Sequence, residues 1–293
     1  MSSRVKTPLR YPGGKQRLWP FIHEILCEND LIGEHYAEPY AGGAGVAFEL
    51  LFRGHVSKIH LNDSSPGIYA FWRSILTEPE RFCRKISRAS MTVDYWKTQR
   101  EILRSKSGAD RFDLGFATFF LNRCNRSGIL DAGVIGGLAQ SGEWKMDARF
   151  PRNELITRIE LIAARKADVT FLNWDAEKFM TSHLGRIKHP VLTYCDPPYY
   201  KKADRLYLNH YSNSDHQRVA KTITEKLKTP WVTSYDACKE IGNLYAGSRM
   251  MEYSLQYNAG KAYKGRELFI FDPTLRIPRH SILESINAAL GAV

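Results

Sequence analysis

Cysteine is scarce in this sequence, and the few residues there are do not pair. The five, Cys27, Cys83, Cys124, Cys195 and Cys238, are odd in number and far apart, with no Cys-x-x-Cys pair. That pattern speaks against a disulfide scaffold and a zinc site, and for reduced thiols in a cytoplasm. The nine histidines form no His-x-x-x-His pair, so no metal is expected. No Ser/His/Asp arrangement can be picked out by spacing. No segment approaches the roughly 18–20 uncharged apolar residues of a membrane span, so no membrane partner is expected. The stretch from Met1 to Pro8 lacks the apolar run of a signal peptide. Internal repeats and low-complexity tracts are missing as well. What remains is an ordinary globular composition: 293 residues, 43% hydrophobic and 25% charged, with ample length for a core.

Charge is present in excess and unevenly. The formal net charge is +11. Residues 1–69 carry none of it, residues 70–165 carry +6 and residues 166–293 carry +5. A basic excess confined to part of a chain points to a nucleic-acid face.

Periodicity divides the chain the same way. Strands are expected at His35–Glu38 and Lys58–Asn62, with a helix from Val46 to Phe52 between them. That is the start of a parallel sheet. Residues 68–115 read as helical, as do Phe112–Leu121 and Glu154–Ala164, and residues 128–143 have the glycine content of a loop or hairpin. Alternation then returns with strands at Val169–Leu172, Val191–Cys195, Trp231–Ser234 and Glu267–Phe271. A helix is expected over Ala176–His183, and another over Gln217–Lys226 with a capping box starting at Ser214. The reading is an α/β domain, residues 1–69 and 166–293, interrupted by a mostly helical recognition block, residues 70–165.

Four motifs can carry chemistry. Gly42, Gly43 and Gly45 follow a strand and open a helix, and Asp63 ends the next strand. Glycines let a ligand approach the backbone, and an acid at that position can bond both hydroxyls of a ribose. A nucleoside-bearing cofactor and a simple tight turn both fit this segment. The spacing is not Gly-x-Gly-x-x-Gly, which disfavours a dinucleotide. Arg10-Tyr11-Pro12-Gly13-Gly14-Lys15 is not a phosphate loop, because Gln16 follows the lysine. Asp196-Pro197-Pro198-Tyr199 follows a strand directly. Its prolines have no N–H, so it offers acceptors beside an aromatic plane, which suits an exocyclic amine. Last, Asn122, Arg123, Asn125 and Arg126 sit between an apolar helix and the glycine-rich stretch, where they can donate to phosphates and base edges. Two aromatic and basic segments, Tyr199–Tyr211 and Tyr253–Arg266, read as surface loops.

In this order the motifs resemble those of the Dam-type (class alpha) DNA adenine-N6 methyltransferases, over roughly residues 8–272. The resemblance implies a Rossmann-like seven-stranded methyltransferase sheet with an inserted helical target-recognition domain. It implies transfer of a methyl group from S-adenosylmethionine, leaving S-adenosylhomocysteine, to an adenine flipped out of double-stranded DNA. By motif position it implies cofactor contacts from Tyr11, Lys15, Glu38, Tyr40, Ala41, Gly42, Asp63 and Asp175. It assigns the target base to Asp196, Pro197, Pro198 and Tyr199. Asn125-Arg126-Ser127-Gly128-Ile129-Leu130 departs from the aromatic-rich segment of GATC-specific members, so that specificity is not carried over. A bacterial or phage-encoded enzyme, with a restriction or defence system as partner, is the expected setting. The alternatives are cytosine-N4 or RNA adenine methylation, or a catalytically silent DNA-binding subunit.

Overall fold

A computed structural model describes residues 7–10, 15–105, 108, 110–200, 211–257 and 263–278. The strands β1 (His35–Glu38), β2 (Lys58–Asn62), β3 (Val169–Leu172), β4 (Val191–Cys195), β5 (Trp231–Asp236), β6 (Arg249–Tyr257) and β7 (Tyr263–Phe271) make one sheet. Their order is β3-β2-β1-β4-β5-β7-β6. β1 to β5 are mutually parallel, and β7 runs antiparallel between β5 and β6. Every residue of β4 and β5 is buried, as in a strand covered on both faces. β1 to β4 occupy the spans that the alternation predicts.

Three expectations need correction. Within Tyr253–Arg266, residues 253–257 and 263–266 are not surface loop: they belong to β6 and β7, which pair antiparallel with Tyr253 opposite Glu267. The capping box belongs to Ser212 and Asp215, not Ser214, and the helix begins at Asn213. Asp215 reaches back to the backbone N–H of Ser212 at 2.8 Å, which starts the helix four residues early. The helix begun at Ala176 widens to a π-turn over Phe179–His183.

Helix α1 (Trp19–Glu28) packs on α2 (Gly45–Phe52) and, through Phe21, on Phe269 and Phe271 of β7, while α2 packs near β1. Five more follow β2: α3 (Pro66–Thr77), α4 (Pro79–Arg88), α5 (Val93–Arg104), α6 (Arg111–Cys124) and α7 (Arg152–Ala164). Ser65, Thr92 and Asp110 cap α3, α5 and α6 with side-chain oxygens. The helical run starts at Pro66, inside the segment expected to belong to the sheet domain. Its core is continuous with that of the sheet. Phe48 of α2, Trp72 of α3 and Phe171 of β3 stack in a row, and Phe71 carries the stack onward to Phe119 of α6. Among the described residues no helix is long and apolar enough to cross a membrane.

Two glycines let α3 and α6 touch backbone to backbone. A Cβ on Gly115 would stand 2.5 Å from the Ala70 carbonyl oxygen, and one on Gly67 would stand 2.5 Å from Thr118 Oγ1. A row of histidines crosses β1 and β2. His60 Nε2 lies 3.1 Å from His35 Nδ1, and His60 Nδ1 lies 3.2 Å from His183 Nε2. Each contact needs one facing nitrogen with a proton and one without, so two neighbouring rings cannot both be protonated. Burial, then His183 and His35, push His60 down to about 3.

Gly115→Ala is expected to lower stability by about 1–3 kcal/mol, despite a helix-propensity gain of about 1 kcal/mol. Urea unfolding measures it, and an unchanged midpoint would refute the close crossing. The histidine row sets a pH dependence. Since the folded pKa of His60 lies below the free value of 6.5, the unfolded chain takes up the proton first as pH falls. Stability is therefore whole above that value and is lost progressively toward about 3. His60→Gln should lose less stability than wild type between neutrality and about pH 4.5; equal losses would count against the row.

Candidate active site

Parallel strands bring their carboxyl ends to one edge of the sheet. Glu38 ends β1, Asp63 follows β2, Asp175 follows β3, Asp196 follows β4 and Asp236 ends β5. The strand order reverses between β1 and β4, which lie side by side. A crevice opens at such a switch point, and here it separates the glycine loop from Asp-Pro-Pro-Tyr.

The glycine loop is tied down from both sides. Gly42 (φ 46°) and Ala44 (φ 48°) adopt left-handed backbone, and α2 starts straight after. Gly42 donates its N–H to Asp63 Oδ2 at 2.9 Å and accepts from Trp72 Nε1 at 2.9 Å. Ala41 donates to the Asn62 carbonyl at 2.8 Å. Glu38 is buried beneath the loop, accepting from Tyr36 OH and from the Ala47 N–H, each at 3.1 Å. Burial outweighs both donors and pushes it up to about 8. Asp63 accepts at Oδ1 from the Ser65 N–H and at Oδ2 from Gly42, yet burial pushes it up to about 6. Each carboxylate oxygen can take a second hydrogen bond, so Asp63 presents a fixed pair of acceptors that suits a diol. Asp175 is exposed and caps the next helix through the Glu177 and Lys178 N–H groups. Tyr40 stands against Tyr211, ring centroids 6.3 Å apart. This acceptor set fits the hydroxyls of a nucleoside cofactor. Tyr11 lies outside the described residues, as do Lys201, Lys202, Tyr207 and Lys261.

Across the crevice, Asp196 Oδ1 accepts from Lys15 Nζ and, at 3.1 Å, from Ser234 Oγ of β5. Lys15 also donates to Ser234 Oγ at 3.0 Å and lies 3.4 Å from Glu267 Oε2. Oδ2 of Asp196 makes no hydrogen bond among the described residues. Burial raises the Asp196 carboxyl, Lys15 draws it down, and Glu267 adds to the rise. Tyr194 OH meets Ser234 Oγ at 2.7 Å. Tyr199 is buried, with only 2% of its surface exposed, and its hydroxyl donates to Glu267 Oε1 at 2.7 Å. The Tyr200 N–H donates to Asp236 Oδ1 at 2.8 Å. Lys15, read as a cofactor contact, thus stands on the Asp196 side of the site.

Ser234, Glu267, Tyr194, Tyr253 and Asp236 escaped sequence reading. One signal was available: polar residues inside strands that are otherwise apolar need partners there.

Of the four residues read as DNA contacts, three are internal. Asn122 accepts from the Arg10 N–H and donates to the carbonyls of Arg10 and Gly128, all within 2.8 Å. Asn125 accepts from Trp96 Nε1 and donates to the carbonyls of Ile129 and Leu130. Arg123 donates to the Arg149 carbonyl at 2.5 Å, and burial lowers it to about 9. All three are buried, so they are not surface donors to DNA. Arg126 alone is exposed, with its guanidinium beside Gly133 of the glycine-rich loop.

Residues 11–259 match the model of the family described as D12 class N6 adenine-specific DNA methyltransferase. The Type II methyltransferase M.MjaIII of Methanocaldococcus jannaschii is 22% identical over 213 residues, which cover 67% of this chain and 69% of that protein. Among solved structures, the rRNA methyltransferase aviRa from Streptomyces viridochromogenes aligns over 92% of this chain and 93% of its own. Its identity is 11% and the TM-score 0.41. TrmN from Thermus thermophilus aligns over 85% of this chain but 47% of its own, at 11% identity and a TM-score of 0.38. So the chain spans about half the length of TrmN. With the match running from the glycine loop through Asp-Pro-Pro-Tyr, the chain belongs to the D12 class N6 adenine-specific DNA methyltransferases, which are S-adenosylmethionine-dependent.

Proposed function

We propose that the chain methylates adenine within a specific sequence of duplex DNA, with the target base flipped into the crevice between β1 and β4. The observation that carries this reading is the Asp196 carboxylate itself. Lys15 and Ser234 occupy Oδ1, which leaves Oδ2 to accept a hydrogen from an amine. Pro197 and Pro198 bring no competing donors, and the backbone carbonyl oxygens beside them supply a second acceptor. Two acceptors holding both amine hydrogens leave the N6 lone pair aimed out of the base plane. The base must leave the helix for this, because N6 cannot reach such acceptors from inside the stack. Stacking on Tyr199 requires its covered ring face to open when DNA arrives.

Opposite, Asp63 would hold the ribose hydroxyls of S-adenosylmethionine, while Tyr40, Ala41 and Gly42 would line its methionine end, above the buried Glu38. Asp175 would stand near its adenine. When bound, the cofactor supplies an electrophilic methyl group on a sulfonium. The chain's own task is orientation and stabilisation of the positive charge that develops on N6.

The helical run 66–164 is the proposed recognition block. It holds the exposed Arg126, and residues 70–165, which overlap nearly all of it, carry +6 of the net charge of +11. The further reading is service as the modification partner of a restriction or defence system, in a cytoplasm; the Type II methyltransferase relative favours the first part.

Expression in a methylation-free host followed by modified-base sequencing tests the reading. N6-methyladenine within one sequence context is expected; modified cytosine, or none, overturns it. Asp196→Ala should cut methyl transfer by about a hundredfold to a thousandfold with DNA binding retained, and an active variant would remove Asp196 from its role. DNA affinity should fall steeply with salt, on the order of tenfold or more between 50 and 200 mM. A flat salt response argues against the basic face.

A further inference from the structure

Glu267 is the residue of the site whose presence asks most for a reason. It stands on β7, paired with Asp236 of β5 and Tyr253 of β6, and no part of it reaches solvent. A carboxylate buried there is costly unless partners meet it, and a well-packed apolar side chain would serve stability as well. The partners are specific. Tyr199 OH donates to Oε1 at 2.7 Å, Tyr253 OH donates to Oε2 at 2.6 Å, and Lys15 Nζ is 3.4 Å from Oε2. Tyr199 closes Asp-Pro-Pro-Tyr, and Lys15 bonds Asp196. One buried group therefore grips both the aromatic plane and the cation that holds the acceptor.

We propose that Glu267 is a positioning residue for methyl transfer, fixing Tyr199 and Lys15 and leaving the Lys15–Asp196–Glu267 cluster with one net negative charge. This rests on the adenine-methyltransferase reading above. Methylation makes N6 positive until it loses a proton, and a net negative cluster stabilises that charge where a neutral Lys–Asp pair would do so less. The tether on the Tyr199 hydroxyl fixes the ring plane, and Lys15, shared between two carboxylates, keeps Asp196 from being fully neutralised. The groups facing Asp196 are Lys15 and Ser234, with Tyr194 behind the serine and Glu267 behind the lysine.

The test is single-turnover transfer of labelled methyl from S-adenosylmethionine into duplex DNA across a range of pH, with cofactor and DNA binding measured separately. Glu267→Gln keeps the shape and removes the charge. Its rate should fall about a hundredfold, with both binding constants within about twofold of wild type. The acid limb of its pH profile should move to lower pH. Asp196 must be ionised to accept the amine hydrogen; Glu267 raises its pKa, and without Glu267 it ionises lower. Glu267→Asp, which keeps the charge, should return the limb toward the wild-type position. A Gln variant with a rate within about threefold of wild type, or with an unmoved limb, overturns the proposal. Should Glu267→Gln fail to fold, Tyr199→Phe severs the same tether without touching the buried carboxylate, and an undiminished rate in that variant overturns the tether. A wild type that moves no methyl to adenine would instead defeat the activity reading, before any variant is compared.

Discussion

One ion pair joins the beginning of this chain to its end. Lys15 bonds Asp196 across 181 positions of sequence, and Glu267 stands against the same ammonium from the last strand. Two carboxylates and a lysine in a partly dry site are expensive to desolvate. Four hydroxyls offset that cost: Ser234 on Asp196, Tyr194 on Ser234, and Tyr199 and Tyr253 on Glu267. The arrangement requires β4, β5, β6 and β7 to be in register together, since each contributes a member. A site of this kind forms only when those four strands have come together.

The proposed recognition block is bound to that site by two further links. Trp72, in its first helix, holds the carbonyl of Gly42 in the glycine loop. Asn122 and the backbone near Asn125 hold Arg10, five residues before Lys15. A Cβ on Gly128 would lie 2.9 Å from the Arg10 backbone oxygen, so that contact is close on both sides. With a common aromatic core beneath, the block is mechanically part of the sheet domain. Whatever its loop touches is joined by packed, hydrogen-bonded elements to both walls of the crevice.

Much of this was legible without coordinates. Buried parallel strands leave short apolar runs, and β1 to β4 stand where those runs stand. Asp63 and Asp196 were legible too, because a parallel sheet delivers the residue after each strand to one edge. β6 was not, since its tyrosines and charges mimic a loop until β7 pairs with it. Asn122 and Asn125 misled for a chemical reason: an amide that can bond a base edge can equally bond a backbone N–H and carbonyl.

The sequence by itself determined the spans of β1 to β4, the parallel order of chemistry along one edge, the acid-proline-proline-aromatic motif and the family to which they point. These follow from local periodicity and from motifs a few residues long. Only the tertiary structure decided that Lys15 bonds Asp196, that Ser234 and Glu267 meet that pair, and that three of the four supposed DNA contacts are internal braces. Partner choice is a matter of distance in space and of burial. A lysine, an amide or a carboxylate carries no mark in sequence of the group it will meet when water is excluded.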